Sequence, residues 1–223
     1  MINILAQRTL KHTLKNILRL KKKYPSLQNE NLEFYYFAYG ANLSSNRFER
    51  FRIPYQFMGK AELKGYKLNF SMPCEYKNKG YASIELNEKE SVWGHLFKLS
   101  RIGFMMLDIL EWVPFHFYRR QEVKVRLENG DTVLAWVYMA KFPKSDLVLS
   151  KEYLNFILNE AEKSNFPQSY ISSLKEQKFS EKFEIDPGFC LSNPGNRRAF
   201  ENQLSKLYLI HDQLREKLPR LIP

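Results

Sequence analysis

The alternation of apolar and polar positions divides the chain into short strands, one helix set among them, and helices toward both ends. Residues 1–23 place Ile4, Leu10, Leu14, Ile17 and Leu18 near helical spacing, and Pro25 ends that helix. Residues 33–39 are a continuous apolar-aromatic run, which predicts a buried strand stopped by Gly40. Residues 44–52 predict a short helix or turn. Residues 56–70 have strand character, with Gly59 and Gly65 as punctuation. Residues 81–86 predict a strand carrying Ala82, Ile84 and Leu86 on one face. Residues 91–99 predict another, with Val92, Gly94, Leu96 and Lys98 opposed to Trp93, His95, Phe97 and Leu99.

Ser100 is a candidate N-cap for a helix running to about Leu110, so Glu111 sits at or just past its end. Residues 118–127 and 132–140 flank Glu128-Asn129-Gly130-Asp131, the signature of a hairpin. Residues 148–162 read as helical, and Phe166-Pro167 opens a further helix over residues 168–177. A Pro/Gly/Asn loop follows over residues 186–196, then an amphipathic helix over residues 198–218. Many short strands with one inserted helix and terminal helices imply an α+β fold around a closed or strongly curved sheet.

Composition narrows the class. The chain has 223 residues, 44% hydrophobic and 15% aromatic, enough for one domain with a full core plus extensions. Net charge is +11, and residues 8–23 hold seven basic residues and no acidic one. That segment is a candidate contact for nucleic acid or an anionic surface, though a plain surface helix is the preferred reading. Basic, amphipathic and acid-free, it also resembles a transit peptide, but its clustered lysines and scarce serine argue for a surface helix. No apolar run approaches the roughly 20 residues of a membrane span. Cys74 and Cys190 make neither a disulfide framework nor a zinc site, and read as free thiols of a reducing compartment, the cytoplasm. His12, His95, His116 and His211 show no ligand spacing. Nucleophile–base triads and Gly-rich phosphate loops are absent from the sequence, so neither a metal nor a cofactor is expected.

Two segments remain as candidate chemistry. Tyr36-Phe37-Ala38-Tyr39-Gly40-Ala41-Asn42-Leu43 is a strand running into a small-residue turn. Gly permits and Asn tolerates a left-handed backbone, and successive N–H groups so turned form an anion-binding concavity. Glu111 lies among Leu107, Leu110, Trp112, Val113 and Phe115, and apolar surroundings suit a carboxylate to proton transfer near neutral pH. Tyr118, seven residues later, either reaches a substrate polar group or belongs to the core.

Taken in order, these pieces resemble the γ-glutamylcyclotransferase family, which includes the AIG2-like proteins. The resemblance rests on residues 36–43, on Gly65-Tyr66-Lys67-Leu68-Asn69-Phe70, Tyr81-Ala82-Ser83-Ile84 and Val92-Trp93-Gly94. It continues through Leu107-Asp108 with Glu111 and Val113, Tyr118-Arg119-Arg120, Val123 and Val125, then Pro167, Tyr170 and Leu174. It spans residues 34–178, leaving residues 1–33 and 179–223 as extensions.

The resemblance implies a small mixed β-barrel with an inserted helix. It implies Glu111 as general acid/base, and Tyr36, Phe37, Ala38, Tyr39, Gly40, Ala41, Asn42 and Tyr118 as substrate-binding residues. Ala41 stands where the family usually has Ser, and Trp112 where a Gly often follows the Glu. The implied reaction converts a γ-glutamyl amino acid or amine to 5-oxoproline and a free amine. Alternatives are a γ-glutamyl-amine or an acylated small molecule on the same scaffold, or a binding protein that works through its basic N-terminal helix.

Overall fold

The computed structural model describes residues 34–50, 53–74, 76–113, 116–182 and 184. The helices expected over residues 1–23 and 198–218, the loop over 186–196, Phe115, Cys190, His12 and His211 lie outside them. In chain order the elements are β1 (Phe34–Ala38), α1 (Asn46–Arg50), β2 (Tyr55–Pro73), β3 (Gly80–Leu99) and α2 (Arg101–Leu110). There follow β4 (Tyr118–Leu127), β5 (Thr132–Ala140), β6 (Leu149–Ser150), α3 (Lys151–Lys163), α4 (Gln168–Lys175) and β7 (Phe179–Ser180).

Five strands close a barrel in the order β1-β3-β2-β4-β5. Neighbours are antiparallel except at the seam, where β1 meets β5 in parallel with Tyr36 opposite Trp136. This is the α+β barrel with an inserted helix that the sequence implies.

β1 is short but buried on both faces, which is why its sequence shows no alternation. Tyr35, Phe37 and Tyr39 face one apolar cluster with Leu63, Val92, Leu96, Val125 and Val137, and α3 and α4 add Leu154, Ile157 and Leu174 to it. Phe34, Tyr36 and Ala38 face the other, made with Phe97 and Leu99 of β3 and Phe104, Leu107 and Leu110 of α2. Each fully buried large side chain contributes roughly 1.5–3 kcal/mol. The strand that enters the site is thereby clamped from two sides.

The long β2–β3 hairpin differs from the expectation of separate strands over 81–86 and 91–99. β3 is continuous, and the polar stretch at residues 87–90 is a bulge. Tyr66 pairs with Leu86 and Lys64 with Ser91, so residues 87–90 stand opposite Gly65 alone. Asn87 Nδ2 donates to Glu90 Oε1 at 2.7 Å, and the Lys89 N–H donates to Asn87 Oδ1 at 3.1 Å, closing the bulge on itself. Gly65 holds φ +80° there, a region that favours glycine. Leu86 is consequently 77% exposed rather than sharing the inner face of Ala82 and Ile84.

α2 starts where the sequence places it. The Ser100 hydroxyl accepts from the Gly103 N–H at 3.1 Å, an N-cap worth about 1 kcal/mol. It ends at Glu111, whose N–H donates to the Leu107 carbonyl at 2.8 Å. The compact unit runs past residue 178. β7 pairs in parallel with β6, and Lys79 Nζ donates to the Ser180 carbonyl at 2.8 Å.

Gly94 tests how tightly β3 is drawn under β1. A Cβ there would sit 2.2 Å from the Ala38 carbonyl oxygen and 2.8 Å from the Phe37 ring. Gly94→Ala is expected to lower stability by about 3 kcal/mol, read from urea unfolding. Unchanged stability would show that β1 is free to shift.

Candidate active site

The end of β1 and the end of α2 meet over one cavity of about 360 Å³. That volume is within the range of small-molecule sites. Glu111, Tyr36, Tyr39, Gly40, Ala41, Asn42 and Tyr118 line it, so most residues singled out by sequence come together although they are far apart in the chain. Phe37 and Ala38 do not. Phe37 is fully buried in the barrel cluster and Ala38 in the cluster under α2, on opposite faces of β1. Arg47, Trp112, Tyr138 and Tyr153 join the lining.

The Glu111 side chain is 12% exposed, and it is not in a purely apolar setting. Leu107 and Leu110 point into the cluster between α2 and the barrel. The carboxylate points the other way. Oε1 accepts from Asn42 Nδ2 at 2.8 Å and lies 3.7 Å from Arg47 Nη1. Asn42 Nδ2 also donates to the Tyr36 hydroxyl at 2.8 Å. Because a carboxylate only accepts, its contact fixes which end of the Asn42 amide faces the helix. One amide therefore ties the turn, the strand and the helix cap together. Asn42 Oδ1 is buried without a hydrogen-bond partner among the described residues.

The turn itself differs from the expected cradle of free amides. Neither Gly40 nor Asn42 has a positive φ. Gly40 is required instead by close approach, since a Cβ there would lie 2.9 Å from both Ala82 Cβ and the Tyr153 hydroxyl. The Leu43 N–H is tied back to the Gly40 carbonyl at 2.9 Å. The Tyr153 hydroxyl meets the main chain of Ala41 and Ala82. A tyrosine from α3 thus caps the turn and presents its own hydroxyl to the cavity.

Further tyrosines line the same space, among them the buried Tyr36, Tyr39, Tyr118 and Tyr138. Tyr118 donates to the Ala82 carbonyl at 2.7 Å, Tyr39 to the Tyr138 carbonyl, and Tyr138 to Asp108 Oδ1 at 2.7 Å. The Tyr36 hydroxyl oxygen takes the second Asn42 bond. Burial pushes all five phenols up, and the negative charge of Glu111 pushes Tyr36, Tyr39, Tyr118 and Tyr153 further. They are neutral donors across the physiological range. Tyr118 is both wall and core, since it lines the cavity while its proton is committed to Ala82.

Behind the cavity, Asp108 and Arg120 form a buried ion pair at 2.9 Å, with side chains 9% and 6% exposed. Burial pushes the Asp108 carboxyl up, opposed by Arg120 and the Tyr138 hydroxyl. The Arg120 guanidinium also lies over the Phe104 ring, 4.7 Å from its centroid. This pins the turn of α2 that precedes Glu111 onto β4. Across the turn, His95 Nδ1 donates to the Leu43 carbonyl at 2.7 Å, and Nε2 faces Ser164 Oγ at 2.7 Å. Both ring nitrogens of His95 are thus engaged in holding the structure, and burial pushes it below its ordinary value of 6.5.

Arg47, Tyr138 and Tyr153 were missed by sequence reading. Tyr153 opens a helix and Tyr138 lies in a fully apolar stretch, so nothing local marks either. Arg47 had a signal, as a basic residue five positions after Asn42 in a short helix.

Residues 91–174 match the family model described as the AIG2-like family. The γ-glutamylcyclotransferase of Mus musculus is 29% identical over 150 residues, covering 66% of this chain and 79% of that protein. The Homo sapiens γ-glutamylcyclotransferase is 29% identical over 146 residues, covering 64% and 77%. A solved structure titled γ-glutamyl cyclotransferase superposes with a TM-score of 0.62 at 24% identity, over 78% of this chain and 99% of that one. That structure shares the fold.

Arg120→Met would leave Asp108 buried without its cationic partner. It is expected to cost about 3–5 kcal/mol in urea unfolding. A loss below 1 kcal/mol would show that α2 is held by packing alone. For His95, the folded state favours the neutral ring, so its contribution is complete above pH 6.5 and is lost as pH falls below that value. Unfolding free energy should drop between pH 7 and pH 5.5 more steeply in the parent than in His95→Gln. Parallel curves would remove His95 from that dependence.

Proposed function

Because the chain is γ-glutamylcyclotransferase-like in sequence and in fold, an enzyme of that kind, we propose that it converts a γ-glutamyl amino acid or amine to 5-oxoproline. The observation that carries this reading is the largely buried Glu111 carboxylate, 2.8 Å from the Asn42 amide, on the wall of a cavity sized for a small molecule.

A γ-glutamyl compound holds an α-amine and a γ-carbonyl in one molecule. Attack of the amine on the carbonyl closes a five-membered lactam, and the γ C–N bond then breaks. The tethered nucleophile lets proximity supply about 7–11 kcal/mol when the bound geometry is right. Glu111 takes the proton from the ammonium group, leaving a competent amine. It then returns a proton to the departing nitrogen, so one carboxylate serves both transfers, worth roughly 10²–10⁴-fold. Asn42 holds the carboxylate toward the cavity through both steps. The oxyanion is met by the Tyr153 hydroxyl, whose main-chain contacts at Ala41 and Ala82 support this role. The neutral phenols of Tyr36 and Tyr118 form the walls. Residues 34–180 are the catalytic unit in this reading. A cytoplasmic setting is part of the proposal. No helix among the described residues is long and apolar enough to cross a membrane.

Glu111→Gln keeps the size and the Asn42 contact and removes the base. It is expected to reduce 5-oxoproline release from a γ-glutamyl dipeptide panel by at least about 10²-fold while the unfolding midpoint holds. Near-parental turnover would remove Glu111 from the mechanism.

A further inference from the structure

We propose that Arg47 is the receptor for the α-carboxylate of the substrate's glutamyl head, a role that rests on the cyclotransferase reading. Glu111 and Arg47 are the charged residues among those lining the cavity, one of each sign. A glutamyl head is a zwitterion. Its ammonium group belongs against the carboxylate that must deprotonate it, which leaves the α-carboxylate to the cation.

The geometry fits this division. Arg47 follows directly on the turn that carries Asn42, at the second position of α1, so it shares a short rigid path with the group that holds Glu111. Its side chain is 32% exposed, so the guanidinium is reachable from the cavity mouth. Its contact with Glu111 is loose, at 3.7 Å against the 2.8 Å of the Asn42 bond. A contact that long is easily exchanged for a substrate carboxylate, which the guanidinium fork grips with two parallel bonds. Arg47 lines the same cavity as Tyr36 and Tyr153, and its positive charge acts on both hydroxyls, opposing the upward push of burial. Two main-chain groups at the turn are already engaged, since Leu43 N–H bonds Gly40 and the Ala41 main chain meets Tyr153. With the α-carboxylate on Arg47, the carboxylate of Glu111 is released from its cation when its proton acceptor role begins.

The test compares γ-glutamyl-4-nitroanilide with the same compound bearing an α-carboxamide, following nitroaniline release. It also compares binding of 5-oxoproline and 5-oxoprolinamide by calorimetry. The parent should favour the acid over the amide by more than about tenfold in both assays, chiefly through KM in the first. Arg47→Met should erase the preference by weakening the acid alone, and Arg47→Lys should restore part of it. Equal losses for acid and amide in Arg47→Met, or no preference in the parent, would overturn the proposal. If the parent cleaves no γ-glutamyl compound yet keeps an Arg47-dependent preference for 5-oxoproline, the cyclotransferase reading fails and the carboxylate receptor stands.

Discussion

Everything at this site hangs on the side-chain amide of Asn42. Two donors on one nitrogen reach two acceptors, Glu111 on the helix cap and Tyr36 on the strand. Both acceptors come from elements that are already fixed, β1 by burial on both faces and α2 by Ser100 at its start and Arg120 along its flank. The amide is therefore a joint between stiff parts, and it sets the carboxylate to within a hydrogen bond of the turn. A helix C-terminus is a mildly unfavourable place for a negative charge, since the last carbonyls face it. Asn42 and Arg47 offset that penalty locally.

Much of this was legible in the chain. The ends of α2, the β4–β5 hairpin and the burial of β1 follow from short-range patterns: a serine cap, an Asn-Gly turn, a run of aromatics. The meeting of residues 36–42 with Glu111 was legible only as an ordered set of motifs, because no local signal reports a contact across 69 positions. The failures are instructive for the same reason. Residues 87–90 look like a break because they are polar, yet a bulge also needs polar residues, and pairing on either side decides which forms. Gly40 looks like a backbone hinge, but its small size matters because α3 packs a tyrosine against it. Tyr153 and Tyr138 reach the cavity through tertiary packing, which a periodicity reading does not contain.

Tyrosine is the commonest residue in the walls of the cavity, and that choice has a physical sense. A phenol offers a donor that stays neutral when buried, so it adds polarity without adding charge. Among the described residues that line it, two permanent charges then remain in view of a ligand, and each can be given a distinct partner. A site with more ionised groups would spread the proton over several carriers and blur which one acts.

Trp112 carries the last consequence. It directly follows the Glu111 cap with φ +53°, a left-handed backbone at which a bulky side chain is strained. Trp112 also lines the cavity, and its indole sits edge-on to Phe117 with ring centroids 5.8 Å apart. Conformational relief and a roomier entrance are thus coupled at one position. Change there by drift toward a small residue trades lost ring packing against recovered backbone ease, so broadening of substrate range need not erode foldedness. In most enzymes those two properties pull against each other.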